Sequence, residues 1–323
     1  MANYVYGMDA GIGICFQTSF GTANTASMHW LEPVGESVDL KKAQIERKGM
    51  FGVYDAGANQ EGMNTVEGDV TIEAKALPLG AVLSAVMNRT TVTSSGVYTH
   101  TFKPRTTDWD DYSAERPFTY HKHLGDAGSA HLYSDLNGNT LELNIANGEL
   151  LTAKLGVTGG TYSQVAEVAA SYPTGDALAW NISSASLNGS GRDTFRSLTV
   201  TLNNNLEAKH VLRSSKYPVR VRRGGMRSVE VSGTILFASQ TDMQTFISQT
   251  EQRFFLTLKS ATEIQSGYFE SLTIDIPSLR FTEFPVAVGG PGELEIGFKA
   301  AGKYNTGSAT ALAVTLVNSK AGY

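Results

Sequence analysis

The sequence contains one cysteine, Cys15, in 323 residues. A single thiol excludes an intrachain disulfide, and its place in an apolar stretch favours a packed small side chain over a nucleophile. Long hydrophobic runs are also missing, and the N-terminal residues have neither a basic nor an apolar segment. We therefore expect neither membrane insertion nor secretion, and we expect synthesis in a cytosol.

The sequence has fewer basic than acidic residues. Lysine and arginine number 26 against 31 aspartates and glutamates, which gives a net charge of −5 and a pI near 5.7. Lysine and arginine contacts to phosphates supply most of the affinity of proteins for duplex DNA, so this balance argues against tight DNA binding. A protein that touches DNA without holding it stays compatible with the composition.

Signatures of catalysis are absent as well. The glycine-rich pieces GVTGGTY and VGGPGE are not followed by Lys-Ser/Thr and a helix, which indicates turns instead of a phosphate loop. No Gly-x-Ser-x-Gly elbow occurs, nor does any serine or carboxylate pair come with a positioned histidine. We therefore predict that the protein is not an enzyme and needs no cofactor.

Two clusters resemble metal ligands. His121, His123 and His131 come closest, but no cysteine or carboxylate lies at ligand spacing, so we expect no metal there. The acidic cluster in RTTDWDDYSAERP lacks the calcium-loop spacing and its closing glutamate, which favours a solvated or interface loop. The aspartates of that cluster are Asp108, Asp110 and Asp111.

The sequence does contain many stretches in which apolar and polar residues alternate. It has 33 glycines, 13 tyrosines and many Val-Thr-Leu-Thr alternations, with few long helical patterns. This predicts a mainly β fold, of the all-β or β-rich α+β class. In VEGDVTIEAKALPLGAVL, the acidic residues Glu67, Asp69 and Glu73 share one face of a strand, and apolar residues at helical spacing then predict an amphipathic helix from Pro78.

A second stretch, VEVSGTILFASQTDMQTFISQ, repeats this strand and helix about 165 residues later. Gly233 matches Gly68, and Thr241 is the expected N-cap of the second helix. VYTHTFKP matches RFFLTLKS, and the strand pair joined at Asn147 and Gly148 has a longer counterpart near the C-terminus. The order of these matches predicts two tandem β-sheet units, residues 1–165 and 175–323, with a linker near Pro173.

The two copies differ in their insertions. The first has a glycine-rich loop at 47–64, and the second has the basic run VRVRRGGMRS with Arg220, Arg222, Arg223 and Arg227. Nucleic-acid binding is one interpretation of these arginines. We favour the other, pairing with carboxylates of a neighbouring subunit, because interleaved aromatic residues are missing and the protein is acidic.

The chain resembles the tail tube proteins of long-tailed, non-contractile bacteriophages. The resemblance is carried by GICFQTSFGTANT, VEGDVTIEAKALPLGAVL and LTVTLNNNLEAKHVLRSSKYPVRVRRGGMRSVEVSGTILF, and it spans nearly the whole chain. It implies two tail-tube-like β-sandwich or barrel units, whose sheets join edge to edge into an inner barrel with the helices outside. Two units in one chain imply a trimer that forms a pseudo-hexameric ring, and stacked rings form a hollow tube for genome delivery.

The resemblance also implies partners and contact residues. The partners are further copies of the chain, a tape measure protein, a tail terminator and distal tail proteins, while double-stranded DNA passes without specific binding. The location is the virion tail, after synthesis in the host cytoplasm. We expect subunit or ring contacts from Arg47, Lys48, Phe51, Tyr54, Asp55 and the four arginines, and β-addition by the final ATALAVTLVN strand to its own unit or a neighbour.

The acidic strand face then has a hypothetical role in the lumen. The candidate lumen-facing residues are Glu67, Asp69, Glu73, Glu142, Asp275, Glu293 and Glu295. Within a Debye length of about 8 Å, such carboxylates repel phosphates. The plainer alternative is the solvated strand face of an ordinary monomer. Because the matching positions of the second copy lack these acids, the charge should alternate around a ring with threefold periodicity.

Other functions stay open at this point. A tail terminator or adaptor shares the tube fold but forms one ring without polymerising. A carbohydrate-binding β-sandwich module is the alternative from another class, and its aromatic platforms would come from Trp30, Trp109 and Trp180.

Overall fold

The computed structural model describes residues 7–49, 55, 58–94, 96–104, 117–125, 129–286 and 292–323. Strands dominate these residues, so the prediction of a mainly β fold is confirmed. The elements of the first half are β1 Gly11–Phe16, β2 His29–Leu31, β3 Pro33–Glu36, β4 Asp39–Ile45, β5 Gln60–Glu73, α1 Ala76–Val86, β6 Asn88–Ser94, β7 Val97–Lys103, β8 Phe118–His123, β9 Ala130–Ala146 and β10 Thr152–Val165.

The second half follows a coil at 166–176 that contains the predicted linker. Its elements are β11 Ser183–Leu187, β12 Ser190–Gly191, β13 Phe195–Asn203, β14 Leu206–Lys209, β15 Arg220–Arg223, β16 Ser228–Leu236, α2 Thr241–Ile247, β17 Gln252–Gln265, β18 Tyr268–Glu283, β19 Glu295–Gly302 and β20 Ala313–Asn318. In the described part of the chain, β14 and β15 form a separate hairpin and the other eighteen strands form one sheet.

The centre of that sheet is an antiparallel row of strands from both halves, in the order β4, β5, β10, β9, β13, β16, β19, β18. The two halves join where β9 pairs with β13, with Leu141 opposite Leu202. In β13, Leu198, Val200 and Leu202 are buried, whereas the alternating threonines lie half-buried on the other face. This alternation gives the sheet one apolar face, which forms the core, and one polar face.

Shorter strands flank the row in a similar way in each half. β8 lies between β1 and β9, and β17 lies between β11 and β18. The predicted match of VYTHTFKP with RFFLTLKS is therefore wrong. VYTHTFKP contains β7, which pairs with β6 and β20, whereas RFFLTLKS lies in β17, whose counterpart by strand pairing is β8. The local apolar alternation of β7 and β8 is alike, so it could not distinguish them.

The C-terminal strand β20 pairs with β18 of the second half and with β7 of the first. The predicted β-addition by this strand to its own unit is thus confirmed, and it provides a second connection between the halves. The predicted Asn147-Gly148 turn between β9 and β10 is also confirmed, with Gly148 at φ +88°.

Helix α1 is buried on nearly every side, so the prediction of an amphipathic helix is wrong. Its sequence, ALPLGAVLSAV, contains no charged residue, and it packs between β9 and the strands β2, β7 and β20. At Gly80, an added Cβ would overlap the ring of Tyr323, which shows how closely the chain covers the helix.

Helix α2 is only partly buried, with Met243 and Phe246 packed against the core. Thr241 is its first residue and Gln240 is the N-cap, so the predicted cap position is wrong by one residue. In the first turn Asp242 is ion-paired with Arg192 at 2.8 Å, and its negative charge interacts favourably with the helix dipole.

The loop predicted at 47–64 ends before residue 64, because β5 begins at Gln60 and pairs there with β4.

Candidate functional site

The polar face of the central row carries charged residues from both halves. Across the strands, Thr71 lies opposite Lys154, which lies opposite Glu142, then Thr201, then Glu230. These positions belong to β5, β10, β9, β13 and β16, so one line of side chains crosses the junction between the halves. Glu230 was missed by the sequence interpretation, although it alternates with the buried residues Val229 and Val231 of VEVSG.

The structure brings five of the predicted lumen residues onto this face, four of them in the first half. Glu67, Asp69 and Glu73 lie on β5 with their side chains opposite the buried Val66, Val70 and Ile72, and Glu142 lies two strands away. Lys154 compensates part of this negative charge, because its Nζ lies 3.3 Å from Oδ2 of Asp69.

Glu295 shares this face, since it alternates with the buried Ile296 and lies opposite Leu236 of β16, whereas Glu293 and Asp275 have other surroundings. Glu295 is the first residue of β19 and Glu293 precedes the strand, and Arg196 approaches the carboxylates of Glu293 and Glu295 at 3.6 and 3.3 Å. Asp275 forms a two-point ion pair with Arg253, at 3.0 and 2.8 Å, in the part of β18 that pairs with β17 and β20. It therefore lies apart from the β5 carboxylates, and strand periodicity gave no means of placing it along β18.

The arginine run forms strand β15, where Arg222 lies opposite Glu207 of β14. The β14–β15 hairpin packs on the first half of the same chain. The backbone N–H of Asn64 donates to the Lys216 carbonyl at 2.9 Å, and His210 Nε2 lies 3.0 Å from the Asn64 carbonyl oxygen. This hairpin is thus part of an interface between halves, which the sequence did not reveal.

Arg227 has an internal contact that differs from its predicted role at a subunit surface. Its Nε donates to Oδ1 of Asn204 at 2.9 Å, and Asn204 is buried. Of the predicted loop contacts, Arg47, Lys48 and Asp55 are exposed, whereas Phe51 and Tyr54 lie outside the described residues.

The histidines do not converge. His131 lies opposite Lys122 and so projects from the face opposite His121 and His123, and its Nδ1 is 3.1 Å from the Tyr162 hydroxyl. Burial and the neighbouring His123 hold the pKa of His121 below its ordinary value. Asp108, Asp110 and Asp111 lie outside the described residues. Over the described ranges, no group of three histidine, cysteine, aspartate or glutamate side chains is arranged to bind a metal.

Comparison with known proteins decides the family. A family model described as phage tail tube protein matches residues 7–313. The chain belongs to the phage tail tube protein family. The resemblance inferred from the sequence is confirmed, and the family is a structural one, found in the virion tail. No curated protein sequence matches the chain.

Two further features of this tail tube protein bear on the alternatives. Trp30 is buried, with its ring 5.7 Å from that of His121, so it is not available as a sugar-binding platform. Trp180 is half-exposed, and Trp109 lies outside the described residues.

Among the helices that the structure describes, none has the length and apolar character needed to cross a bilayer. Burial raises the pKa of the Cys15 thiol, which favours the packed role predicted for it.

Proposed function

We propose that this tail tube protein polymerises as stacked rings into a hollow tube that conducts the genome during delivery. The observation that carries the proposal is the row of eight central strands, which crosses both halves and ends in β4, a strand that pairs only with β5 among the described elements. Six of the seven residues of β4 are exposed. An unprotected sheet edge promotes association, and closing a ring removes it.

A tandem duplication underlies the proposed ring. Gly68 of β5 and Gly233 of β16 make the same kind of contact: a Cβ at Gly68 would lie 2.6 Å from the carbonyl carbon of Ser37, and one at Gly233 would lie 3.1 Å from that of Ser197. Gly156 and Gly297 then lie opposite the next residue of β5 and β16. We place the two units at residues 1–165 and 175–323, and three chains in a pseudo-hexameric ring.

The polar face of the central row is the proposed lumen surface. It carries Glu67, Glu73, Glu142 and Glu230, and it also carries Lys154, which pairs with Asp69. Carboxylates without a basic partner would keep DNA phosphates from binding while the genome moves. The proposed partners are other copies of the chain, a tape measure protein, a tail terminator and distal tail proteins.

Electron microscopy and mass measurement of the purified protein test this proposal. We expect tubes of stacked rings with a central channel, and rings of three 34.6 kDa chains, about 104 kDa. Single rings that never stack would favour a terminator or adaptor instead. A species that stays monomeric at all concentrations and with an initiating tail tip would contradict the proposal.

A further inference from the structure

A cleft of about 400 Å³ lies where the two halves of the chain meet, beside the turn between β9 and β10. Its walls come from that turn, from the short helical turn Trp180–Ile182 that leads into β11, and from the first residues of β13. Pockets for small ligands typically measure about 300–1,000 Å³. The cleft is therefore large enough for a small molecule, and the proposed tube gives it no role.

A β-bulge lies at the rim of this cleft. The register between β13 and β16 shifts between Phe195 and Ser197, so Arg196 is an extra residue in β13. Such bulges bend a strand locally and are common beside binding sites. The carbonyl oxygen of Arg196 accepts a hydrogen bond from the backbone N–H of Asn147 at 2.9 Å, which holds the β9–β10 turn at the rim.

The floor of the cleft is apolar. Ile145 of β9 and Leu198 of β13 lie opposite each other, and both are buried. Leu256 of β17 faces them from the flanking strands and is buried as well. The floor thus belongs to the apolar face of the central row, whereas the opposite, polar face is the proposed lumen surface.

The rim carries an aromatic ring and two amides. The side chain of Trp180 is 44% exposed, and an indole provides a flat apolar surface with a polar N–H at its edge. Asn147 and Asn181 are exposed, and neither amide side chain has a hydrogen-bond partner among the described residues. Each amide offers both N–H donors and a carbonyl acceptor to a ligand.

Two arginines also line the cleft, but their charges are already matched. Nη2 of Arg192 lies 2.8 Å from Oδ1 of Asp242. Arg196 lies near the carboxylates of Glu293 and Glu295, as described above. A phosphate or carboxylate ligand would compete with these carboxylates for the guanidinium groups. The cleft therefore favours a neutral ligand that combines an apolar face with several hydrogen-bonding groups.

We propose that the cleft binds a neutral saccharide, with one face of a sugar ring against the indole of Trp180 and hydroxyl groups hydrogen-bonded to Asn147 and Asn181. A pyranose ring has an apolar face of C–H groups and hydroxyls that both donate and accept, which matches the indole and the two amides. This binding site is additional to the proposed tube and does not depend on it.

Saturation-transfer difference NMR with the full-length chain tests the site, using maltose, cellobiose, lactose and chitobiose as probes. We expect at least one of these neutral disaccharides to bind with a Kd of about 1 mM. Trp180→Ala, and separately Asn147→Ala/Asn181→Ala, should weaken that binding at least tenfold. Tyr268→Ala is the matched control, because this aromatic side chain is 49% exposed at a position outside the cleft, and it should bind as the wild type does. Circular dichroism verifies that each variant folds.

Three results would overturn the proposal. The first is that none of the four disaccharides binds at about 20 mM, well above the expected Kd. The second is binding that both cleft variants leave unchanged, which would place the sugar elsewhere. The third is that inorganic phosphate binds in the cleft and the sugars do not. Ring formation by the same variants is measured by electron microscopy and should be normal, so failure to form rings would bear on the proposed function and not on the saccharide site.

Discussion

Nε of Arg227 donates a hydrogen bond to Oδ1 of Asn204 at 2.9 Å. The amide Nδ2 of the same buried asparagine donates to the carbonyl oxygens of Val86 and Gly138, at 3.1 and 3.2 Å. One side chain therefore connects the end of α1 and strand β9 of the first half to the segments around β13 and β16 of the second.

We expect Asn204→Ala to lower the free energy of unfolding by about 2–3 kcal/mol, since buried carbonyls lose their donor. Arg227→Met should cost about 1–2 kcal/mol, and the control Arg223→Met, at an exposed position, should stay within about 0.5 kcal/mol. Urea denaturation followed by tryptophan fluorescence measures all three. If Arg227→Met were as stable as the control but impaired in assembly, the predicted subunit contact would be right and the internal role wrong.

The close approach at Gly68 gives a second prediction. Gly68 has φ +151° and contacts the Ser37 backbone, so Gly68→Ala forces a clash with backbone that has little room to move. We expect a loss of about 1–3 kcal/mol from overpacking, with further strain from the positive φ. Gly233→Ala should behave similarly. Gly35→Ala is the matched control, because space around Gly35 is open, and equal stability of Gly35→Ala and Gly68→Ala would refute the argument.

Much of the fold was predictable because local signals agreed with it. The alternation in VEGDVTIE and the Asn147-Gly148 turn specify β5 and the β9–β10 pair without reference to distant residues. The helical spacing after Pro78 located α1, but its burial depends on β7 and β20, which lie far away in sequence. Likewise β7 and β8 have similar apolar patterns, so only long-range pairing decides which of them corresponds to β17.

The candidate site was predictable in part for the same reason. Strand period two placed Glu67, Asp69 and Glu73 on one face of β5, and the structure agrees. It could not show that Lys154 of β10 approaches Asp69, because that contact depends on the register between strands. Nor could it show that Arg227 contacts Asn204 of the same chain, since a surface arginine and a paired one look alike in sequence.

We expect His29 to make the folded state less stable in acid. Lys320 Nζ lies 2.8 Å from His29 Nδ1, and burial, followed by the charges of Lys320 and Arg89, lowers the pKa of His29 to about 4. An unfolded histidine titrates near pH 6.5. As the pH falls below that value, the unfolded state binds a proton that the folded state does not, so stability declines between about pH 6.5 and pH 4.

The size of this effect is about 3 kcal/mol at most, at roughly 1.4 kcal/mol per pH unit of displacement. We expect His29→Gln to flatten the stability profile in this range, while wild type and variant differ by a constant amount above pH 7.5. Urea denaturation across the pH range, at protein concentrations below those that allow assembly, measures it. Parallel profiles for the two proteins down to pH 4 would show that His29 is not responsible.

The lumen hypothesis gives the last prediction. Glu67 and Glu73 are exposed on β5, and Glu230 is exposed on β16, so their charges face the space in front of the polar surface. We expect phage carrying Glu67→Gln/Glu73→Gln/Glu230→Gln to assemble tubes of normal diameter but to eject DNA more slowly, since fewer carboxylates repel the phosphates within about 8 Å. Glu149→Gln, in the exposed β9–β10 turn, should eject at the normal rate. Dye-monitored ejection after receptor triggering compares them, and identical kinetics for all three phages would leave the acidic face as an ordinary solvated surface.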